Sequence, residues 1–372
     1  MFTKFSLKDY NFKLLFLVVA AVTIGIVFVN SANSSLTTKH IIGAVAGLIA
    51  MLFISVIDYR FICKFYGALY IFNLVILVLV LLVGREVNNA TRWILIGGDN
   101  GVQFQPSEFS KIIMIIFVSV LLDKLKDKDQ INTFKGIVEF LAFVGISLLL
   151  IFAEPDLSTT LCITMVLFTM LYLSGLSYKL IAFAIIIMTP LAGSFLWYIQ
   201  RPEQKLLEQY QVNRILSFVY PGKYGDDFSQ QNNSIMAIGS GQLNGKGLNT
   251  STIATVKDAN FISEQQTDFI FSVIGEEVGF IGSVFIIAIL LLIVLQCIHI
   301  SRRAYDTKGM LIAAGIGMLI AYQSFINIGV ATGVLPNTGI PLPFVSYGLS
   351  SLLSLLAGMG MVLNVSIQKI KY

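Results

Sequence analysis

The chain is 372 residues long, 56% hydrophobic and only 12% charged, with a mean hydropathy of +0.81 and a formal net charge of +4. A surface of that composition cannot be solvated, which excludes a soluble globular protein. The small positive excess is a signal of membrane topology and points to no nucleic acid.

Apolar runs near the roughly 20 residues that cross a hydrocarbon core fall at about 12–30, 38–57, 65–83, 107–123, 136–153, 157–174, 177–199, 268–299, 309–332 and 344–367. The runs show no alternation of period two, which argues against a β-barrel and leaves helices that satisfy their own backbone groups. The expectation is an all-α polytopic membrane protein of about ten transmembrane helices, a single membrane domain over residues 1–372. A large loop from about 200 to 267 separates the seventh and eighth spans. The first span follows a short basic segment but is long and lacks a small-residue cleavage site, so it reads as retained.

Lysine and arginine set the orientation. An even number of spans puts both termini on one side, which carries Lys4, Lys8, Lys13, Arg60, Lys64, Lys124, Lys126, Lys128, Lys135, Lys179, Arg302, Arg303, Lys308, Lys369 and Lys371. The short loops opposite carry Lys39, Arg85 and Arg92. This bias predicts cytoplasmic termini and an extracellular 200–267 loop, because long loops cross largely regardless of charge.

Cys63, Cys162 and Cys297 lie in or beside spans with no paired spacing for a disulfide or a metal, and read as packing residues. His40 and His299, at span ends, read as neutral interfacial groups. No Walker loop, dinucleotide fingerprint or zinc pattern occurs.

Polar residues gather in five clusters. The first runs from Arg85 to Lys111 and holds Asn89, Arg92, Trp93, Gln105 and Glu108. Pro106 suits the first turn of a helix, and Glu108 and Lys111 are spaced to pair on one helical face at the membrane edge. A topological anchor with Trp93 in the aromatic belt is the alternative. The second, Glu154, Pro155 and Asp156, breaks a helix and leaves two carboxylates to bind a cation, meet an arginine or cap the next span. Capping suits Asp156.

The third cluster lies in the long loop: Arg214, Pro221, and the run Gly239, Gly241, Gly245, Gly247 around Lys246. It reads either as an anion-cradling loop or as a turn between amphipathic helices. The fourth is Glu264, Thr267 and Asp268, followed by Glu276 and Glu277. Asp268 reads locally as a helix cap. Glu276, roughly 12 Å deeper along a helix, needs a partner, for which Lys111 or an outer arginine is the natural choice. The fifth spans Pro336 to Ser351 with Asn337, Gly339, Ser346 and Tyr347, and predicts a rigid loop folded back into the protein.

In chain order ATRWI (90–94), FQPSEFSK (104–111), EPDLSTT (154–160), RILSFVYP (214–221), AIGSGQLNGKGL (237–248), TDFIFSVIGEEVGFIG (267–282) and NTGIPLPFVSYGLSS (337–351) resemble the SEDS family, the shape, elongation, division and sporulation proteins. The resemblance covers nearly the whole chain. It implies the SEDS fold and a glycosyltransferase that polymerises lipid II into nascent glycan at the outer face of the bacterial cytoplasmic membrane. A class B penicillin-binding protein is the implied partner, and Mg2+ or Mn2+ the implied cofactor, with no ligands assigned.

In the family pattern Asp268 is the essential acid, Glu108 and Lys111 the charged pair of the fourth span, Arg92 and Trp93 part of an outer helix, and Glu154 and Asp156 an acidic turn. Arg214, Lys246, Glu276, Asn337 and Ser346 complete the set of substrate-binding candidates. Leu349 replaces a usual glycine, and Ser263 and Gln266 replace a common proline and histidine, departures that bear on the subfamily. Asp268 is expected to take the proton of the attacking sugar hydroxyl, with a low pKa from its place at a helix start. A lipid II transporter and a scaffold for the penicillin-binding partner are the alternatives, and charges gathered on one side of the membrane argue against transport. Chain length and short tails favour the elongation, rod-shape branch over division or sporulation.

Overall fold

A computed structural model describes residues 10–87, 90–96, 102–201, 203–204, 206–220, 225–249 and 264–368, so expectations involving Lys4, Lys8, Asn89, Pro221, Ser263, Lys369 and Lys371 fall outside it. The apolar runs form α1 (Phe12–Ala32), α2 (Thr37–Val56), α4 (Tyr66–Val83), α5 (Pro106–Asp127), α6 (Phe134–Ala153), α7 (Leu157–Leu173), α8 (Tyr178–Tyr198), α11 (Ile270–Arg302), α12 (Thr307–Ala331) and α13 (Leu349–Ile367). A short α3 (Tyr59–Lys64) turns the chain between α2 and α4.

Among the described residues eight helices are long and apolar enough to cross a membrane, and α5 and α7 are the two expected spans outside that set. Helix α7 has 17 residues. Helix α5 carries Glu108 and Lys111 at one end and Asp123, Lys124, Lys126 and Asp127 at the other. Glu108 and Lys111 are buried as a pair, whereas Lys124, Lys126 and Asp127 stand exposed at the far end; between them Met114 to Leu122 are all buried, and α5 packs against α4, α12 and α13. Helices α12 and α13 share this interior, with 72% and 89% of their spans buried, whereas no residue of the α8 span is buried.

Local chemistry sets the helix starts. Asn11, Thr133, Asp156 and Asp306 cap α1, α6, α7 and α12, their side chains accepting from Leu14, Gly136, Thr159 and Gly309 N–H groups. Pro106 opens α5, as expected. The outer helix expected at Arg92 and Trp93 is instead a strand. Residues β1 (Arg85–Val87), β2 (Ala90–Ile96) and β3 (Val102–Phe104) form an antiparallel sheet in the order β1-β2-β3, pairing Arg85 with Trp93 and Ile94 with Phe104. The β-branched and aromatic content of ATRWI favours that pleat over a helix.

In the long loop, α9 (Gln209–Val219) and α10 (Gly225–Ser240) lie over the bundle. Gln231 Nε2 donates to the carbonyls of Val330 (2.8 Å) and Leu335 (2.7 Å), and Ser234 to Ala331 (2.8 Å), fastening α10 to the end of α12. The glycine run begins in the last turn of α10 and continues beyond it, and its backbone N–H groups at Lys246 and Gly247 are given to helix carbonyls. It lies along α11 where that helix breaks at Gly279 (φ 63°, ψ −162°). Lys246 and Gly247 N–H donate to Glu276 and Glu277 carbonyls, both at 2.9 Å, while Phe280 N–H reaches Gln242 O at 2.9 Å. The loop thus supplies the partners that the broken helix loses. A Cβ on Gly245 would stand 2.2 Å from Glu277 O, so glycine is required there by backbone-to-backbone contact.

The loop between α12 and α13 folds back into the protein as expected, with Ile340, Leu342, Phe344 and Val345 buried. It also covers the start of α2. His40 is consequently wholly buried beside the Tyr347 ring, centroids 5.8 Å apart, rather than interfacial. The three cysteines are free and buried.

Candidate active site

Helix α11 begins at Ile270 with Phe269 at its N-cap, so Asp268 caps nothing and its carboxyl is available. The residues around it are stitched to the folded-back loop. Asn327 Nδ2 on α12 donates to the carbonyls of Asp268 and Ile340, each at 2.8 Å. Ser346 Oγ donates to Thr267 O at 2.6 Å and accepts from Leu342 N–H at 2.8 Å, and Tyr347 N–H reaches Gln266 O at 2.9 Å.

These stitches hold Asp268 opposite Gly339, whose φ of +77° suits a residue without a Cβ. A Cβ there would lie 3.3 Å from Asp268 Oδ2 and 3.6 Å from Arg214 Nη1, so acid and guanidinium converge on one point. Burial pushes the Asp268 carboxyl up to about 6, against the pull of Arg214, with Glu264 adding to the rise, Arg92 opposing it and Asp156 adding again. This overturns the low value expected of a helix start: desolvation outweighs any helix-terminus effect.

Arg92 enters from β2. Its Nε donates to Glu154 O at 3.3 Å, its Nη2 to Pro155 O, and its Nη1 lies 3.7 Å from Asp156 Oδ1. Gln211 of α9 also donates to Pro155 O (3.0 Å), and Gln105 to Asp156 Oδ2 (3.4 Å). Asp156 is therefore both the cap of α7 and an ion-pair partner of Arg92. Glu154 is wholly buried, with neither carboxyl oxygen hydrogen-bonded among the described residues. Burial, reinforced by Asp156, pushes it up to about 8 against the pull of Arg92.

The expected residues thus divide. Asp268, Arg214, Arg92 and Asp156 share one electrostatic environment, with Glu154 behind Asp156. Glu108 and Lys111 pair as expected, at 2.7 Å, but inside α5. Lys246 and Glu276 pair with each other at 2.7 Å beside the α11 break, so the cation beside Glu276 comes from the glycine-rich loop, while Lys111 is taken by Glu108. Glu277 binds Ser31 of α1 and accepts from Asn249 N–H at 3.3 Å. Ser346 spends its hydroxyl on two backbone groups, and Trp93 is partly buried on β2. Asn337 lies in the folded-back loop with a buried Oδ1. Sequence reasoning passed over Asn327 and Gln211; an asparagine within an apolar span was the available signal for the first.

A bundle of membrane-crossing helices with a partly buried acid set among arginines at one end is an integral membrane protein with a built site beside the bilayer. The chain belongs to the FtsW/RodA/SpoVE family described as "cell cycle protein", whose model matches residues 7–371. It is 34% identical to a "probable peptidoglycan glycosyltransferase FtsW" of Trichlorobacter lovleyi, over 97% of this chain and 94% of that one. The Bacillus subtilis protein of the same description is 31% identical, covering 98% and 92%. Among solved structures, a chain from work on "structural coordination of polymerization and crosslinking by a peptidoglycan synthase complex" superposes with a TM-score of 0.78 at 26% identity, covering 96% of this chain and 97% of that one. The rod-shape-determining protein RodA of Thermus thermophilus gives 0.71 at 25% identity, covering 98% of each.

Proposed function

We propose that this protein is a peptidoglycan glycosyltransferase that polymerises lipid II, with Asp268 as its general base. The observation that carries the reading is the convergence of the Asp268 carboxyl and Arg214 on the space beside Gly339. A sugar C4 hydroxyl attacks the anomeric carbon of a lipid-linked muramyl unit, Asp268 takes the hydroxyl proton, and undecaprenyl pyrophosphate leaves. A carboxyl raised to about 6 is ionised at neutral pH yet more basic than an ordinary one, which suits proton abstraction near the working pH. Arg214, with Arg92 behind it, supplies positive charge for the leaving pyrophosphate.

No group of three or more histidine, cysteine or acidic side chains among the described residues is placed to hold a metal. The Asp268 carboxyl that takes the hydroxyl proton is not free to ligate a cation, so the described residues do not fit a Mg2+ or Mn2+ site.

The site end faces outwards and both termini lie in the cytoplasm, a reading supported by the lysine and arginine bias. A class B penicillin-binding protein is the partner, supported by the likeness to a chain of a peptidoglycan synthase complex. The division branch fits better than the elongation branch favoured by chain length and tails, because the two relatives above carry the division name FtsW.

The test is the purified complex of this chain and its partner, supplied with lipid II and Mn2+, comparing wild type with Asp268→Asn. Glycan strands from wild type alone are expected. Strands from the folded variant, or none from an intact wild-type complex, would overturn the reading.

A further inference from the structure

Asn327 sits on α12 with 1% of its surface exposed, one of few polar side chains in a helix that is otherwise apolar. Its amide nitrogen has two hydrogens, and each meets a backbone carbonyl, one of Asp268 and one of Ile340, at 2.8 Å. Ile340 is the residue after Gly339, the point on which Asp268 and Arg214 converge. One side chain therefore ties the backbone of the acid to the backbone beside the space the acid faces.

We propose that Asn327 is a positioning residue that sets the separation of Asp268 from Gly339 and Arg214, and through it the rate of polymerisation. The inference rests on the reading of Asp268 as the base. Its physical basis is the short range of proton abstraction: displacement of a reacting group by about 1 Å costs roughly 100-fold in rate. A plain structural role would ask only that the segment be held somewhere. That task is shared, because Ser346 clasps Thr267 and Leu342, and Tyr347 N–H clasps Gln266. Of these clamps, Asn327 alone binds the carbonyl of Asp268 itself.

Loss of the Asn327 clamp also changes the water around the acid. Asp268 is faced by Arg214 from α9, Arg92 from β2, Asp156 from the start of α7 and Glu264 from its own turn. Burial outweighs them all, so loosening the segment moves the carboxyl towards its ordinary range.

The experiment uses the full-length chain with its penicillin-binding partner in phospholipid vesicles, with fluorescent lipid II as probe and activity normalised to folded complex. Asn327→Asp keeps the shape and replaces the donating nitrogen with oxygen. Its kcat is expected to fall roughly 10–100-fold with KM unchanged, and the acid limb of its pH profile to move to lower pH. Asn327→Gln, which keeps the donors one methylene out of place, carries the same test if Asn327→Asp does not fold. A folded variant with wild-type kcat and an unmoved acid limb overturns the inference. So does a loss of activity that only tracks the loss of folded protein. Asp268→Asn is run beside them: if it remains active, the reading of the acid fails first and this inference with it.

Discussion

Asp268 Oδ2 and Arg214 Nη1 flank one point, the place a Cβ on Gly339 would occupy, at 3.3 Å and 3.6 Å. The acid comes from the turn before α11, the guanidinium from α9, and the glycine between them from the folded-back loop. Gly339→Ala places a methyl group there and forces a left-handed backbone at φ +77°, costing about 1–2 kcal/mol. Polymer formation is expected to fall by at least about tenfold while the protein still purifies with its partner. Wild-type polymer yield would show that this space is not where the reaction occurs.

The acid limb of the activity profile is expected near pH 6, where Asp268 titrates. Below it the carboxyl is protonated and cannot accept the hydroxyl proton, so activity drops about tenfold per pH unit. Measurement of kcat/KM against pH checks this, and a limb near pH 4 would mean that the acid in use is a hydrated one.

Glu154 makes the protein less stable as the pH rises. Its carboxyl titrates near 8 in the folded protein against 4.5 ordinarily. The folded state therefore binds the proton more tightly than the unfolded chain, and the stability this contributes is complete below pH 4.5 and lost as the pH rises through 8. Glu154→Gln keeps the shape without the charge. Thermal unfolding in detergent is expected to match wild type at pH 4.5 and to occur several degrees higher at pH 9. Equal melting temperatures at both would place the Glu154 carboxyl in water.

The Lys246 and Glu276 pair lies at the break in α11, with side chains 16% and 1% exposed. Lys246→Met leaves a buried carboxylate without its cation and is expected to cost about 3–5 kcal/mol. The double variant with Glu276→Gln is expected to recover most of that loss, because removing both charges removes the uncompensated one. A double-mutant cycle on unfolding midpoints measures the coupling, and additive effects would show that the pair has no part in holding the loop to the helix.

Much of the site was legible where its parts are close in sequence. Glu108 and Lys111 are one helical turn apart and pair at 2.7 Å, and Asp156 stands where a cap is needed, with Thr159 N–H 3.1 Å away. The strand at Arg92 and Trp93 was misread because a resemblance carried a helix onto a segment whose own residues prefer a pleat. The sequence expects Asp268 to cap a helix with a low pKa, and the structure departs from both expectations: the helix begins two residues later, and the partly buried acid loses enough water to raise its pKa.

Hydropathy alone determined that this chain forms membrane-crossing helices with a long loop, because the cost of exposing backbone polar groups to lipid leaves a helix few alternatives. Spacing determined the local pairs and caps. Only the tertiary structure decided which distant groups meet: Arg214 with Asp268, Lys246 with Glu276, Arg92 with the Glu154–Asp156 turn, and Asn327 with the backbone of the acid. These partners are separated by dozens of residues, and their meeting depends on how helices pack and how much water each group loses. Neither quantity is carried by a local pattern, because both are set by residues that belong to other helices.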